Sequence, residues 1–522
     1  MAKKAKYARR SHDVPDVIQQ QVPGKTKGFA LPRWLVLTGR DEPLEHYAAA
    51  EAGAIIQQHV PYVLQTIVGD CDRDRLKKHN LMVIGTPETN RLIASLVADG
   101  KIRIPPKPQS YTITVLPSPY NSARQMLILA GADSPGVLYA VRDWEHYCYD
   151  PYATSLVPSR FPLPHAPQPV RPAMPRMVPF HHPVPAWNLS SSPRVLNRGI
   201  WTWGHVVYDY RRFLENMSRW KMNILIVWND YAPVNAREIT DYAHSLGIKL
   251  IWGFSWGWGE LLNPNDSEQL AYWRNRVIDT YEQQYAPLGG DGIYFEIFTE
   301  TESRKIGRKT VAELAARWVN HIGAALLERH PDLWIQWGLH ATSVLDDIDY
   351  IKTVDPRINI TWANVGSFPY DYEVAGMDNL EETLTWTRRL ARLRGAQEDV
   401  GLTLKGMIQL DWDTFENQQG PFVMGRADRD FIRQRAELVQ PRWKKVEIGW
   451  RKHFPAVCRT IKAALAARPK RLTITGLVED GMWEERMPLP VCLLAEAMWN
   501  PDERPESIIA KVAATRDAYC LA

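Results

Sequence analysis

The run Gly292-Ile293-Tyr294-Phe295-Glu296-Ile297-Phe298-Thr299-Glu300-Thr301-Glu302-Ser303 begins apolar, ends polar and carries three carboxylates, Glu296, Glu300 and Glu302. A near-continuous apolar run fits a buried parallel strand, and in an alternating α/β chain ligands sit beyond the carboxyl ends of such strands. Acids just past that end suit proton-transfer chemistry, one group donating while another accepts. Solvated loop acids that cap the next helix would look the same in isolation, so the surrounding elements decide what the stretch means.

Those elements begin near Trp34. Trp34-Leu35-Val36-Leu37-Thr38 and Asn80-Leu81-Met82-Val83-Ile84-Gly85 read as strands, with helices over about 43–60 and 88–98. Tyr111 to Val115 and Gln125 to Ala130 read as two more strands across a Pro/Ser/Asn turn, and Ser134-Pro135-Gly136 opens a helix to about Tyr147. Residues 31–150 therefore form a small α/β domain, behind a basic, aperiodic tail over 1–30 that is expected to be disordered. Eleven prolines between Pro151 and Pro185 forbid a regular helix or central strand and mark a stiff linker over 151–175.

From 176 to 522 the alternation lengthens. Candidate strands are Met177–Phe180, Met222–Trp228, Ile248–Phe254, Gly292–Phe298, Leu333–Trp337, Ile358–Trp362, Leu404–Leu410 and Leu472–Gly476, with helical patterns between them. Eight strands, each followed by a helix, describe an α/β protein of the (β/α)8 TIM-barrel type. No Gly-rich phosphate turn follows any strand, which argues against a nucleotide-binding sheet.

In such a barrel the working residues lie just past the strands. The first strand is followed by His181, His182, Trp187 and Asn188, the second by Asn229 and Asp230 after Trp228, the third by Trp256, Trp258 and Glu260. Glu300 and Glu302 follow the fourth, His340 the fifth, and Asn364 and Asp371 the sixth, which itself ends in Trp362. Asp411, Trp412, Asp413 and Glu416 follow the seventh, and Glu479, Asp480, Trp483 and Glu484 the eighth. The chain holds 21 tryptophans, several at these ends, and an indole offers a broad apolar face for a sugar ring and an N–H for its hydroxyls. Carboxylates among aromatics on a barrel rim point to glycoside hydrolysis, where one acid protonates the leaving oxygen and a second attacks or activates water. His181 and His182 are neighbours pointing apart with no third ligand in view, so no metal is expected.

Composition narrows the class. With 63 basic against 59 acidic residues, net charge +4, the chain shows no preference for nucleic acid or membrane. No apolar run reaches membrane-spanning length, and no apolar segment follows the basic first ten residues as in a secretory signal. Five scattered cysteines fit a reducing, cytoplasmic setting.

Stretches in both domains carry a family resemblance. Tyr111 to Val115 with Leu127-Ile128-Leu129-Ala130-Gly131-Ala132-Asp133-Ser134-Pro135-Gly136-Val137-Leu138-Tyr139-Ala140 resembles the small domain that precedes the barrel in α-glucuronidases and β-N-acetylhexosaminidases. Met222 to Asn229, Gly247 to Leu250 and Ala495-Glu496-Ala497-Met498-Trp499-Asn500-Pro501 are similar to the α-glucuronidase barrel. The resemblance implies a metal-free inverting glycosidase without cofactor, in which Glu300 is the general acid. It places the water-activating acid at Asp371 or Asp413, with Asp411 a rival. Glu296 stands where that family carries a lysine, and Thr299-Glu300-Thr301 replaces the adjacent Asp-Glu pair of hexosaminidases. The chain also stops soon after the barrel, where α-glucuronidases continue into a helical dimerisation domain.

The expectation is an exo-acting, α-glucuronidase-like hydrolase of an oligosaccharide, compatible with a homo-oligomer, needing neither nucleic acid nor membrane. Its sugar contacts are expected from Trp187, Asn188, Trp228, Asn229, Trp256, Trp258, Glu302, His340, Trp362, Asn364, Trp412 and Trp483. A non-catalytic sugar-binding protein on the same barrel, or a hexosaminidase-like enzyme, stands as the alternative.

Overall fold

A computed structural model describes residues 32–40, 42–57, 60, 62–149, 188–364, 369–372, 376–395, 399–407, 420–480 and 482–521. β1 (Trp34–Thr38), β2 (Gln65–Val68), β3 (Asn80–Gly85), β4 (Tyr111–Ser118), β5 (Asn121–Gly131) and β6 (Asn188–Ser191) form one sheet in the order β2-β1-β3-β5-β4-β6. Four strands run parallel, while β4 pairs antiparallel with both β5 and β6. Alternate side chains feed two separate cores: Val36, Met82, Ile84, Leu127 and Leu129 pack with Ala52, Val137 and Trp144 of the helices Pro43–Gln57 and Ser134–Tyr149. Leu35, Leu37, Leu81 and Val83 pack on Ile93 and Leu96 of the helix Arg91–Ala98. The period of two along each strand produces this division. β2 and β6 escape a reading by hydrophobicity because both are short edge strands of largely exposed or polar residues.

The second sheet closes on itself. β7 (Asn197–Trp203), β8 (Ile224–Trp228), β9 (Lys249–Gly253), β10 (Gly292–Glu296), β13 (Ile335–His340), β14 (Ile358–Asn364), β15 (Asp399–Leu404) and β16 (Arg471–Leu477) make a closed barrel. Each neighbouring pair is parallel, and β16 pairs with β7 to complete the ring. A small hairpin of β11 (Lys305–Ile306) and β12 (Lys309–Thr310) follows β10. The fold is the (β/α)8 barrel with a small α/β sheet domain before it.

Two strands differ from the sequence reading. The first barrel strand is Asn197–Trp203, and the stretch Met177–Phe180 lies outside the described residues. The seventh is Asp399–Leu404 rather than Leu404–Leu410. Its Val400, Leu402 and Leu404 supply the outward apolar face, so the chain uses the first of two adjacent apolar runs.

Strand parity sets the lumen. Outward residues such as Leu225, Leu250, Phe295, Trp337, Leu402 and Ile474 join the helices in one large core. Inward residues of β7 to β10 are Trp201, Ile226, Trp228, Ile251 and Tyr294, an apolar half. Among the alternate residues of the other four strands, Gln336, Asn359, Thr361, Thr403, Thr473 and Thr475 are polar, while Leu477 joins the apolar cluster. The helix Arg429–Ala466 keeps Pro441 and Pro455 within one element.

Candidate active site

The last inward positions of the strands converge at the carboxyl end of the barrel. β10 contributes Tyr294 and Glu296, β13 contributes His340, and Lys405 and Glu479 follow β15 and β16 at the same parity. Gly338 of β13 makes the approach of β10 possible, since a Cβ there would lie 2.0 Å from the Tyr294 hydroxyl and 2.8 Å from Glu296 Cγ.

A continuous line of contacts runs through this group. The Tyr294 hydroxyl donates to Glu296 Oε1 at 2.6 Å, and His340 Nε2 lies 3.2 Å from Glu296 Oε2. His340 Nδ1 then lies 3.7 Å from Glu300 Oε1. The Glu296 and His340 side chains are 13% and 1% exposed, whereas Glu300 at the end of the line is 44% exposed. The buried interior thus leads to one carboxyl group that solvent and substrate can reach.

Two glutamates at this mouth are pushed in opposite directions. Burial raises the Glu296 carboxyl, but His340, Lys405 and the Tyr294 hydroxyl outweigh it, so the net direction is down. Burial also raises Glu479, where Lys405 and a hydrogen bond from Trp203 recover only part, leaving it at about 7. Glu484 is likewise raised by burial to about 7, although its carboxylate accepts the Tyr208 and Asp209 backbone N–H groups. Lys405 acts on both Glu296 and Glu479, so one cation serves two acids shifted in opposite directions.

The aromatic wall lies beside them. Trp201, Trp203 and Trp228 meet at centroid distances of 5.3 to 6.2 Å, and Trp258 packs its edge on Trp228 at 6.3 Å. Trp203 and Trp258 are half-buried, which leaves indole surface at the mouth. Asn229 follows Trp228 with 2% exposure, and neither of its side-chain amide atoms has a hydrogen-bond partner among the described residues.

The sequence-derived positions separate accordingly. Glu300, His340, Trp228, Asn229 and Trp258 come together at the mouth, while Glu302 lies on the exposed loop beyond Glu300. Trp256, Trp362 and Trp483 do not line it. Trp256 stacks on outward-facing Phe295 at 3.6 Å, Trp362 has outward parity against Trp386, and the Trp483 indole donates to the Phe213 carbonyl at 3.0 Å. Burial among helices and strands leaves each of the three at 0% exposure. Asn188 belongs to β6, at the edge of the first sheet, because the first barrel strand starts only at Asn197. Asp371 is exposed and held by Lys452 and His453, each at 3.0 Å. Its hydrogen bond to Lys452 and the charge of His453 keep its carboxyl below the usual range. Asn364 closes β14. Trp187, Asp411, Trp412, Asp413, His181 and His182 lie outside the described residues.

Sequence reasoning passed over Lys405, Tyr294 and Trp201 as site residues and left Glu479 in a list of strand-end acids. The signal was parity: each shares its strand's inward register, but the register is known only once the strand is placed. Donor atoms of Glu296, Glu300 and His340 also lie within 4.8 Å of one another, a spacing a metal ion could use. Both Glu296 oxygens already meet Tyr294 or His340, while His340 Nδ1 and Glu300 Oε1 face each other at 3.7 Å without a hydrogen bond.

No family model matches the chain, and no curated protein matches it. Among solved structures it is similar to the GH20 β-N-acetylhexosaminidase from Streptomyces coelicolor A3(2), at 9% identity and a TM-score of 0.48, over 93% of this chain and 92% of that one. It is also similar to CpGH84D at 10% identity and a TM-score of 0.41, covering 93% of this chain and 90% of the other. A further β-N-acetylhexosaminidase aligns at 11% identity and a TM-score of 0.44, over 78% of this chain and 87% of that one.

Proposed function

We propose that this protein is a glycoside hydrolase that removes a terminal sugar from an oligosaccharide, with Glu300 as the proton donor. The observation that supports it is the mouth itself: an accessible carboxyl group backed by buried acids whose carboxyls are shifted in opposite directions, beside an indole wall. Separated protonation states are what acid/base cleavage of a glycosidic bond requires. Trp203, Trp228 and Trp258 would take the apolar face of the sugar, and Asn229 its hydroxyl or amide groups. Asp371 is set aside as the water-activating group, since Lys452 and His453 of the helix Arg429–Ala466 occupy it.

For the sugar, α-glucuronidase-like specificity draws on Lys405, a cation able to meet a uronate. A neutral or N-acetylated sugar is the second reading, favoured by the two acids that already share that lysine. The test is a panel of nitrophenyl glycosides of glucuronic acid, glucose and N-acetylglucosamine in both anomeric forms. Hydrolysis of one of them is expected, and Glu300→Gln is expected to lower turnover of the matching alkyl glycoside, whose leaving group needs the proton, about 1,000-fold. No hydrolysis across the panel, or near-normal turnover by the variant, would refute the assignment.

A further inference from the structure

The loop that carries Glu300 runs straight into the hairpin of β11 and β12, and both are pinned at the rim. Thr299 is tied to the end of β13: its Oγ1 accepts the His340 backbone N–H at 3.3 Å, and its carbonyl accepts the Ser343 hydroxyl at 2.7 Å. Beyond Glu300, Arg304 forms an ion pair with Asp346 of the loop after β13, and its carbonyl accepts the Val311 N–H at 2.9 Å. From the other side, Asn265 of the loop after β9 donates its side-chain amide to the Ile306 carbonyl at 3.1 Å. Lys305 pairs with Thr310 and Ile306 with Lys309, across a tight turn in which Gly307 takes a φ of +67°. The hairpin is thus fastened to the loops of both strands that flank β10.

This short hairpin is strongly basic, with Arg304, Lys305, Arg308 and Lys309 close together. Arg304 is matched by Asp346, and Lys309 by Glu313 at 2.9 Å. Lys305 and Arg308 are exposed and have no ion pair among the described residues. Glu302, also exposed, is the acid that precedes them, so the tip keeps a positive balance. We propose that this tip receives a negatively charged leaving group, so that the preferred substrate carries an acidic group beyond the scissile bond. The inference rests on the reading of Glu300 as proton donor and names the class of glycoside that the same site takes. A proton donor must sit against the leaving oxygen, because its O–H breaks as the leaving-group O–H forms and the glycosidic electron pair goes to that oxygen. Water meanwhile bonds to the anomeric carbon and releases a proton to solvent. Side chains that follow Glu300 on the same pinned loop therefore lie on the leaving-group side. Exposed cations act with modest strength and are screened by salt, so their effect is a preference rather than a requirement.

The test compares carboxyalkyl glycosides of increasing chain length with their methyl esters, on the sugar that the nitrophenyl panel selects. Each pair differs by one charge and demands the same proton from Glu300. At low ionic strength the best carboxylate is expected to exceed its ester about fivefold in kcat/KM. The ratio should fall to within about twofold at about 1 M salt, where screening acts over about 3 Å. The double variant Lys305→Gln with Arg308→Gln is expected to bring the low-salt ratio within about twofold. Equal kcat/KM for acid and ester in the wild-type protein, or a preference that the double variant leaves intact, overturns the proposal. The salt series uses the wild-type protein alone, so it decides the question even where the variant fails to fold. Glu300→Gln in the same series identifies the other failure: near-normal turnover of both members of a pair sinks the proton-donor reading, whatever their ratio. A panel in which no sugar is hydrolysed removes that reading and this inference together.

Discussion

At the foot of the barrel, Lys221 sits between Asp143 at 2.6 Å and Glu496 at 3.2 Å, and Lys511 reaches Glu496 at 2.8 Å. At the mouth, Lys405 serves Glu296 and Glu479, while Glu479 Oε2, His340 Nδ1 and the Asn229 amide have no hydrogen-bond partner among the described residues. Both regions bury charge, yet they treat it differently. Burial raises the Glu496 carboxyl, but Lys221 and Lys511 outweigh it and the net direction is strongly down. At the foot, Lys221 and Arg198 also lie over the Trp499 ring, and Arg198 donates to the carbonyls of Val195, Leu196 and Lys221. Arg142 extends the same satisfaction across the domain junction, to Glu51, Glu145, Tyr47 and Ser218.

The difference teaches where each region spends its polar groups. Paired charges at the foot fasten the sheet domain to the barrel through side chains of both. Unpaired groups at the mouth cost stability and keep donors and acceptors available for something that binds. Barrels of this architecture carry function at the carboxyl ends of their strands and stability at the other end, and the distribution of satisfied charge here follows that division.

The largest effect should come from breaking the foot. Lys221→Met leaves Asp143 and Glu496 buried with one cation fewer, and a loss of about 3–5 kcal/mol in denaturant unfolding is expected. Activity per folded molecule should be unchanged. A stability loss within error would mean the junction does not bear on folding, and the contrast with the mouth would fail.

A smaller effect of opposite sign is expected at the mouth. Glu479 has an ordinary value of 4.5 and a folded value of about 7, so between those limits the folded protein holds a proton that the unfolded chain releases. Stability from this group is therefore complete below about 4.5 and lost as pH rises through about 7. Glu479→Gln removes that dependence. Relative to wild type, it should gain up to about 3 kcal/mol between pH 4.5 and pH 8, read by unfolding at each pH. A parallel pH dependence in both proteins would show that Glu479 is not held protonated.

The smallest effect sharpens the border of the mouth. Asp371→Asn removes an exposed pair with Lys452 and His453, and kcat should stay within about twofold of wild type. A loss of several orders of magnitude would return Asp371 to the chemistry and enlarge the site toward β14.

Much of the architecture is legible in the chain itself. The apolar runs from Trp34 to Thr38 and from Gly292 to Phe298, the helical periods between them, and the position of Glu300 past a strand all follow from residue types at fixed periods. The carboxylate and tryptophan content points to the kind of chemistry. Sequence alone falls short where two outcomes share one local pattern. Trp362 and Trp228 both lie near strand ends, but parity turns the first into the helix layer and the second into the lumen. Leu404 ends β15 rather than opening the run to Leu410, and that choice is what brings Lys405 to the mouth.

What the sequence determined was the menu: a barrel of eight strands, a small sheet domain and acids placed after strands. Local periodicity carries that information because it depends on neighbours along the chain. The tertiary structure decided which acids meet, since Glu296, His340, Lys405 and Glu479 come from four strands and converge only when β16 closes on β7. Their protonation depends on that convergence. Glu296 is drawn down by partners 44 and 109 residues along the chain at His340 and Lys405, and Glu479 is raised by a burial that exists only in the closed barrel.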